Sequence, residues 1–373
     1  MSRTAPQHGR QHRRCSPLPE QWPGVSYVMP VLNEEKYLAA AVQTVRDQDY
    51  PGERELILAL GPSTDRTTEI AERLAAEPVA AGHPRIRLVH NSGTDIPKGL
   101  NLAIRTSVHP IVIRVDAHSE LPDHYTRTGV ETLRAQDAAN AGGLMVAKGR
   151  TPLQEAAARA YNSPFGLGGG TYHSGTVAGP SESAYLGIFR REVLDEVGLY
   201  DESVRRGEDW ELNLRIREAG YLVWFNPDLT VTYWPRDTRE GLARQFHSTG
   251  VWRGALVRDV ADRTPIRFFV PPALVAACAT SAATVLVDAA GLLLRDEGLR
   301  GPAKVLRISH LGPAVYAALL VAIAARTPGT VRQRLRYASV LATMHLSWGT
   351  GFWAGLLRGG GDTVDTSRTD RPS

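Results

Sequence analysis

The chain of 373 residues has 43 Lys and Arg against 39 Asp and Glu, a formal net charge of +4, and is 43% hydrophobic. That length leaves room for one large domain and a further region. So small a charge, with Arg scattered along the chain, argues against nucleic acid as a partner. Cys15 and Cys278 lie far apart, which excludes a disulfide framework and a Cys-based zinc site and fits a reducing compartment.

Residues 1–24 are basic, rich in Pro, Gln and His, and lack the apolar stretch of a secretory signal. A flexible tail is expected there, and a further one at 359–373. From residue 25 the pattern alternates. "VSYVMPVLN" reads as a strand, "EEKYLAAAVQTVRDQ" as a helix, "RELILAL" as a strand and "TEIAERLAAE" as a helix after the loop "GPSTDRT". "RIRLVHN", "IPKGLNLAIRTS" and "PIVIRVD" repeat the alternation, so the expected fold class is α/β with a mostly parallel central sheet. Ligands of such sheets sit beyond the carboxyl ends of the strands. Polar residues crowd there: Asn33, Glu34 and Glu35, then Ser63 and Asp65, then Lys98, then Asp116 and His118. No GxGxxG or GxxxxGK[ST] follows a strand, so neither a dinucleotide fold nor a P-loop is supported.

Three later stretches, 268–287, 308–325 and 337–357, contain no Asp, Glu, Lys or Arg. Each approaches the roughly 20 residues that cross a hydrocarbon core. Arginines flank them at Arg267, Arg295, Arg307, Arg326, Arg336 and Arg358, as at a headgroup boundary. Buried helices of a soluble domain are the alternative. The expected division is therefore a tail (1–24), a catalytic domain (25–260), a membrane region of about three helices (261–358) and a second tail (359–373).

The ordered series "PVLNEE", "PSTD", "KGLNLAI", "VDAH", "SPFGLGGG", "AYLGIFRREVLDEVGLYDES", "RRGEDWELNLRIREAGY" and "QFHSTGVWRG" resembles glycosyltransferase family 2, near the bacterial succinoglycan-type membrane glucosyltransferases. The resemblance covers about residues 25–260. It implies a GT-A fold, an inverting reaction and an Asp-x-Asp-like motif holding Mn2+ or Mg2+. It also implies a nucleoside-diphosphate sugar donor, UDP-glucose first, and a lipid-linked or growing polysaccharide acceptor. Two departures stand out: Leu60 and Gly61 occupy the positions where many relatives have an Asp before the "STD" loop, and His118 replaces the second Asp of the metal motif.

Carried over residue by residue, the resemblance implies a donor site of Pro30, Asn33, Glu34, Ser63, Asp65, Lys98, Asn101 and Asp116. Asp116 and His118 are the implied metal ligands, imidazole suiting manganese at least as well as magnesium. Asp209 is the implied base, with Glu208 orienting or binding the acceptor. Trp210, Trp252 and Arg253 are expected at the acceptor or diphosphate, and "GLGGG" (166–170) as a loop over the acceptor site. From the residues alone, Asp65, Glu208 and Asp209 also read as helix caps, Lys98 as a solvated lysine, and Trp252–Arg253 as an interfacial anchor. The absent signal peptide places the large domain in the cytosol, with the protein multi-pass in the cytoplasmic membrane. Two other functions stay open: a non-catalytic membrane subunit of a polysaccharide complex, and a sugar nucleotidyltransferase.

Overall fold

The structure, a computed structural model, describes residues 12–167, 175–204, 207–260, 266–293 and 301–359. The four apolar runs before residue 116 are strands: Val25–Val31 (β1), Arg54–Leu60 (β2), Arg85–His90 (β3) and Ile111–Arg114 (β4). β1 pairs in parallel with β2 and with β4, and β2 with β3. Parallel neighbours need a crossover of helix length, supplied by Leu38–Arg46 (α1), Thr67–Ala76 (α2) and Ile96–Thr106 (α3). Alternate residues of one strand face opposite ways. Tyr27 and Met29 therefore join one apolar cluster with Leu56 and Leu58, while Val28 joins another with Ile57, Leu100 and Val112.

Beyond β4 the sheet turns antiparallel. Ser119–Glu120 (β5), Asn140–Ala147 (β6), Gly179–Pro180 (β7), Tyr185–Arg190 (β8) and Val223–Tyr233 (β9) complete nine strands in the order β3-β2-β1-β4-β8-β6-β9-β5, with β7 paired to β9. β8 runs antiparallel to β4, with Ile113 opposite Ile188. Tyr125–Gln136 (α4), Arg191–Val197 (α6) and Glu208–Glu218 (α7) belong to this unit; Pro152–Tyr161 (α5) does not.

Residues 12–24 are not a free tail. Cys15 is buried, its N–H donating to Asp137 Oδ1 at 3.3 Å, and Trp22 meets Tyr50 edge-on at 5.3 Å. The indole and thiol bury apolar surface that a solvated tail would leave in water. The remainder of that expected tail, 1–11, and all of the C-terminal one after Gly359 lie outside the described residues.

The chain divides into two compact units, Met1–Val146 with Gly169–Tyr233, and Ala147–Gly168 with Trp234–Ser373. The boundary therefore falls at Tyr233, earlier than the expected 260. The second unit contains α5, Arg239–Val260 (α8), Val270–Leu293 (α9), Leu311–Arg326 (α10) and Val331–Arg358 (α11). The boundary moves because α8 and α11 lie backbone to backbone. A Cβ added at Gly250 or Gly254 would collide with the carbonyls of Trp348 and Phe352, and one at Gly351 or Gly355 with those of His247 and Val251. The helices thus run parallel along a small-residue seam of the GxxxG kind. They also carry one repeated octapeptide: "TGVWRGAL" at 249–256 and "TGFWAGLL" at 350–357 share Thr, both Gly, Trp and the second-helix-turn Leu.

Among the described residues, Ile266–Gly291 and Lys304–Arg326 are the helices long and apolar enough to cross a membrane, each with mean hydropathy 1.8. The third expected run lies inside α11, whose Tyr337, Val340, Leu341, Met344 and Phe352 are buried. Polar groups in these helices pair with one another: Ser281 with His310 at 2.7 Å, Tyr316 with His345 at 2.9 Å, and Asp288 with Arg307 through two bonds of 2.9 Å.

Candidate active site

β1 ends at Val31, and Asn33 takes left-handed backbone, φ 53°, which Asn tolerates better than most residues. That turn stitches the loop after β1 to the loop after β2. Asn33 N–H donates to Ser63 Oγ at 3.1 Å, and Asn33 Oδ1 accepts from Thr64 N–H at 2.8 Å. Glu34 N–H donates to Thr67 Oγ1 at 2.7 Å, and Glu35 N–H to Asp65 Oδ2 at 3.2 Å. Asp65 Oδ1 also accepts from Thr67 N–H at 3.0 Å, so its carboxylate serves the start of α2 in the manner of a cap.

The stitched loop puts Glu34, almost wholly buried, beneath His118, with Oε1 and Nδ1 3.1 Å apart. A carboxylate only accepts, so Nδ1 is assigned the hydrogen of this contact. Tyr233 meets the imidazole edge-on at 5.4 Å. The sequence places His118 two residues after Asp116, at the turn closed by Ser119 N–H on Asp116 O, 2.9 Å.

Arg114, the last residue of β4, has a side chain only 5% exposed. Its Nε donates to Asp116 Oδ1 at 3.1 Å, and its Nη1 to Glu208 Oε1 at 3.1 Å and Asp209 Oδ1 at 2.5 Å. Glu208 and Asp209 open α7, whose N-cap Gly207 is left-handed (φ 77°) and offers no side-chain cap. Both carboxylates reach across to β4. Tyr200 lies against the guanidinium at 5.9 Å and donates to Asp209 Oδ1 at 3.3 Å. Burial, reinforced by the Asp209 charge, holds the Tyr200 phenol well above its ordinary value, so it remains a donor. Burial pushes the Asp209 carboxyl up to about 7; Arg114 opposes the shift, while Glu208 and Asp116 add to it. A carboxylate titrating there is matched to proton transfer near neutrality.

The other expected residues divide. Asn101 is buried, donating to Tyr200 O (2.8 Å) and Glu202 Oε1 (2.9 Å) and accepting from Tyr200 N–H (2.9 Å). Its side chain thus fixes the loop that carries Tyr200. Lys98 is exposed, with Nζ 3.4 Å from Ser92 Oγ. Pro30 is half-buried on β1 and Trp210 half-buried on α7. Trp252 and Arg253 belong to the second unit, where the guanidinium lies over the rings of Trp252 (4.4 Å) and Phe268 (4.2 Å). Of the loop "GLGGG", residues 168–170 lie outside the described residues. Arg114 and Tyr200 were missed from sequence. Arg114 had a readable signal: a lone guanidinium in the apolar run "IVIRV" needs buried partners.

Among the described residues, no three His, Cys, Asp or Glu side chains form a metal cage. Asp116 and His118 nevertheless suit a divalent ion bound together with a substrate diphosphate, because such ions often take only one or two protein ligands beside phosphate oxygens. The Glu34–Nδ1 contact has the same form as the carboxylate–histidine pairs that support metal-bound imidazoles elsewhere.

A half-parallel sheet with polar residues gathered at its strand ends, continued by antiparallel strands, defines a GT-A domain. Residues 26–198 match the family described as "Glycosyl transferase family 2". The chain is 31% identical over 336 residues to "Succinoglycan biosynthesis protein ExoA" of Rhizobium meliloti (strain 1021), covering 88% of this chain and 94% of that one. It is 24% identical over 241 residues to a dolichyl N-acetyl-alpha-D-glucosaminyl phosphate 3-beta-D-2,3-diacetamido-2,3-dideoxy-beta-D-glucuronosyltransferase of Methanococcus voltae, covering 63% and 74%. Among solved structures, the mannosyltransferase PcManGT of Pyrobaculum calidifontis, in complex with GDP-Man and Mn2+, aligns with TM-score 0.49 and 18% identity over 95% of this chain and 91% of that one. The S. aureus TarS 1-349 structure aligns with TM-score 0.45 and 16% identity over 61% and 63%, so the chain spans under two thirds of its length. The chain belongs to glycosyl transferase family 2 and is a glycosyltransferase.

Proposed function

We propose that the protein transfers a sugar from a nucleoside-diphosphate donor, UDP-glucose first, to a lipid-linked or growing polysaccharide acceptor with inversion. The observation that carries this reading is the meeting of Asp116, at the end of β4, with Glu208 and Asp209, at the start of α7, on one buried guanidinium. Asp209 accepts the acceptor hydroxyl's proton as that oxygen attacks the anomeric carbon, and Glu208 orients the acceptor. A single displacement makes an α-linked donor into a β-linked product. Asp116 and Nε2 of His118 would hold Mn2+ or Mg2+, which supplies neutralisation of the charge growing on the leaving diphosphate. The linked loops of Asn33, Glu34, Ser63 and Asp65 line the nucleoside side, with Lys98 approaching the phosphates.

Two apolar helices and the pairing of their polar side chains support a membrane setting, with the catalytic unit cytosolic and the acceptor's lipid in the bilayer. The relatives in succinoglycan biosynthesis and dolichyl-linked transfer support the same acceptor class. Leu60 and Gly61, in place of an Asp, favour the alternative of a subunit without donor binding. The deciding experiment offers membranes bearing the protein a panel of UDP- and GDP-sugars with Mn2+, Mg2+ or EDTA and native lipid acceptors. Metal-dependent diphosphate release coupled to transfer from one donor is expected. No turnover with any donor, beside an active relative assayed identically, overturns the reading.

A further inference from the structure

Arg114 stands among more negative charge than its own burial requires. A buried guanidinium is stabilised by one well-placed carboxylate, with hydrogen bonds completing its donors. Arg114 instead meets three: Asp116 through Nε, and Glu208 and Asp209 through Nη1. Three carboxylates so close to one another repel, an arrangement that burial penalises. Three carboxylates drawn onto one buried guanidinium mark a place organised for more than fold stability.

The connectivity narrows the role. Asp116 follows the parallel half of the sheet, whereas Glu208 and Asp209 come from a helix 92–93 positions later, and the chain between them crosses to the antiparallel half. Arg114 joins these two carboxylate groups through its side chain. Its planar fork makes separate bonds in fixed directions, which a lysine ammonium on a flexible stem does not reproduce. Tyr200 completes the frame by donating to the same Asp209 oxygen that Arg114 holds.

We propose that Arg114 is a positioning residue for transfer: it fixes the Asp209 carboxylate relative to Asp116, and so sets the base against the donor. The assignment rests on the proposed glycosyl transfer. It gives Arg114 no contact with the reacting atoms; its effect on the rate passes chiefly through Asp209, which it holds against Asp116.

The test compares the full chain in native-like membranes with Arg114→Lys and Arg114→Gln, using the donor identified by the panel above. Arg114→Lys should lower kcat by about 100-fold, the scale of a misplacement near 1 Å, a far larger change than in donor KM or in Mn2+-dependent UDP binding, where loss of the Asp116 bond is felt. In an Asp209→Asn background, Arg114→Lys should change the residual rate little, because residues acting through one group are not additive. A kcat near wild type in both single variants overturns the inference. So does a raised donor KM at unchanged kcat, which would make Arg114 a donor-binding residue, or a full additive loss in the Asp209→Asn background. Failure of the wild-type protein to transfer from any donor is a different result, and overturns the function itself.

Discussion

Glu34 and His118, 84 positions apart in sequence, face each other at 3.1 Å between Oε1 and Nδ1. The contact commits one imidazole nitrogen to a buried carboxylate and fixes the orientation of the ring. Glu34→Ala should therefore weaken Mn2+ binding in the presence of UDP by about 10–100-fold, the usual cost of losing such support. Electron paramagnetic resonance of Mn2+ reads this without turnover; equal affinity in the variant would detach Glu34 from any metal role.

Asp209→Asn should lower transfer by about 10²–10⁴-fold, the usual contribution of a positioned acid or base. UDP binding should persist. Wild-type kcat/KM should rise with pH through an inflection set by the carboxyl raised to about 7, since that parameter reports the free enzyme. A profile without an inflection between pH 6 and 8 would remove Asp209 from the base role.

The same carboxyl links pH to stability. Its folded value, about 7, stands above the ordinary 3.8, so between the two the folded protein keeps a proton the unfolded chain has lost. Its stabilising contribution is complete below about pH 4 and disappears as pH rises to about 7. The Tm difference between wild type and Asp209→Asn should therefore shift against the wild type on going from pH 5 to pH 7.5; a pH-independent difference contradicts the raised value.

Asn101→Ala should act on stability more than on donor binding. It leaves the buried backbone of Tyr200 without its partners, at about 1–3 kcal/mol for an orphaned group. A lowered Tm of the detergent-solubilised chain with nearly unchanged UDP affinity is expected. An unchanged Tm with lost UDP affinity would return Asn101 to the donor site.

Gly355→Leu should disrupt the second unit, because its Cβ would collide with the Val251 carbonyl and overpacking costs about 1–3 kcal/mol. Protease sensitivity of α8 in the detergent-solubilised protein reads the effect. An unaltered cleavage pattern would show that the helices separate easily.

The parallel strands and their helices were legible because β-branched runs alternate with amphipathic stretches. Leu56, Ile57, Leu58 and Ile111, Val112, Ile113 could hardly be anything else. The antiparallel extension was harder to read, since β5 and β7 are two residues each and depend on partners far away in sequence. Asp116, Glu208 and Asp209 were singled out through their motifs, and the structure brings all three onto Arg114. Their common partner was not singled out, because motif reading passes over an arginine inside an apolar strand, and distance along the chain hides the 94-residue step from Arg114 to Glu208. The boundary at 233 was missed for a related reason: α8 has too many charges to resemble the apolar helices that follow it, and only the glycines it shares with α11 reveal where it belongs.

The repeated octapeptide also imposes an order of events. Residues 249–256 leave the ribosome 101 positions before their counterparts at 350–357, about 5–20 s at ordinary translation rates. Throughout that interval the glycine face of α8 has no α11 to receive it, while both apolar helices are made in between. A chain interrupted before 350 would present α8 without the glycine face that covers it in the finished unit. The second unit thus cannot close until α11 has been made.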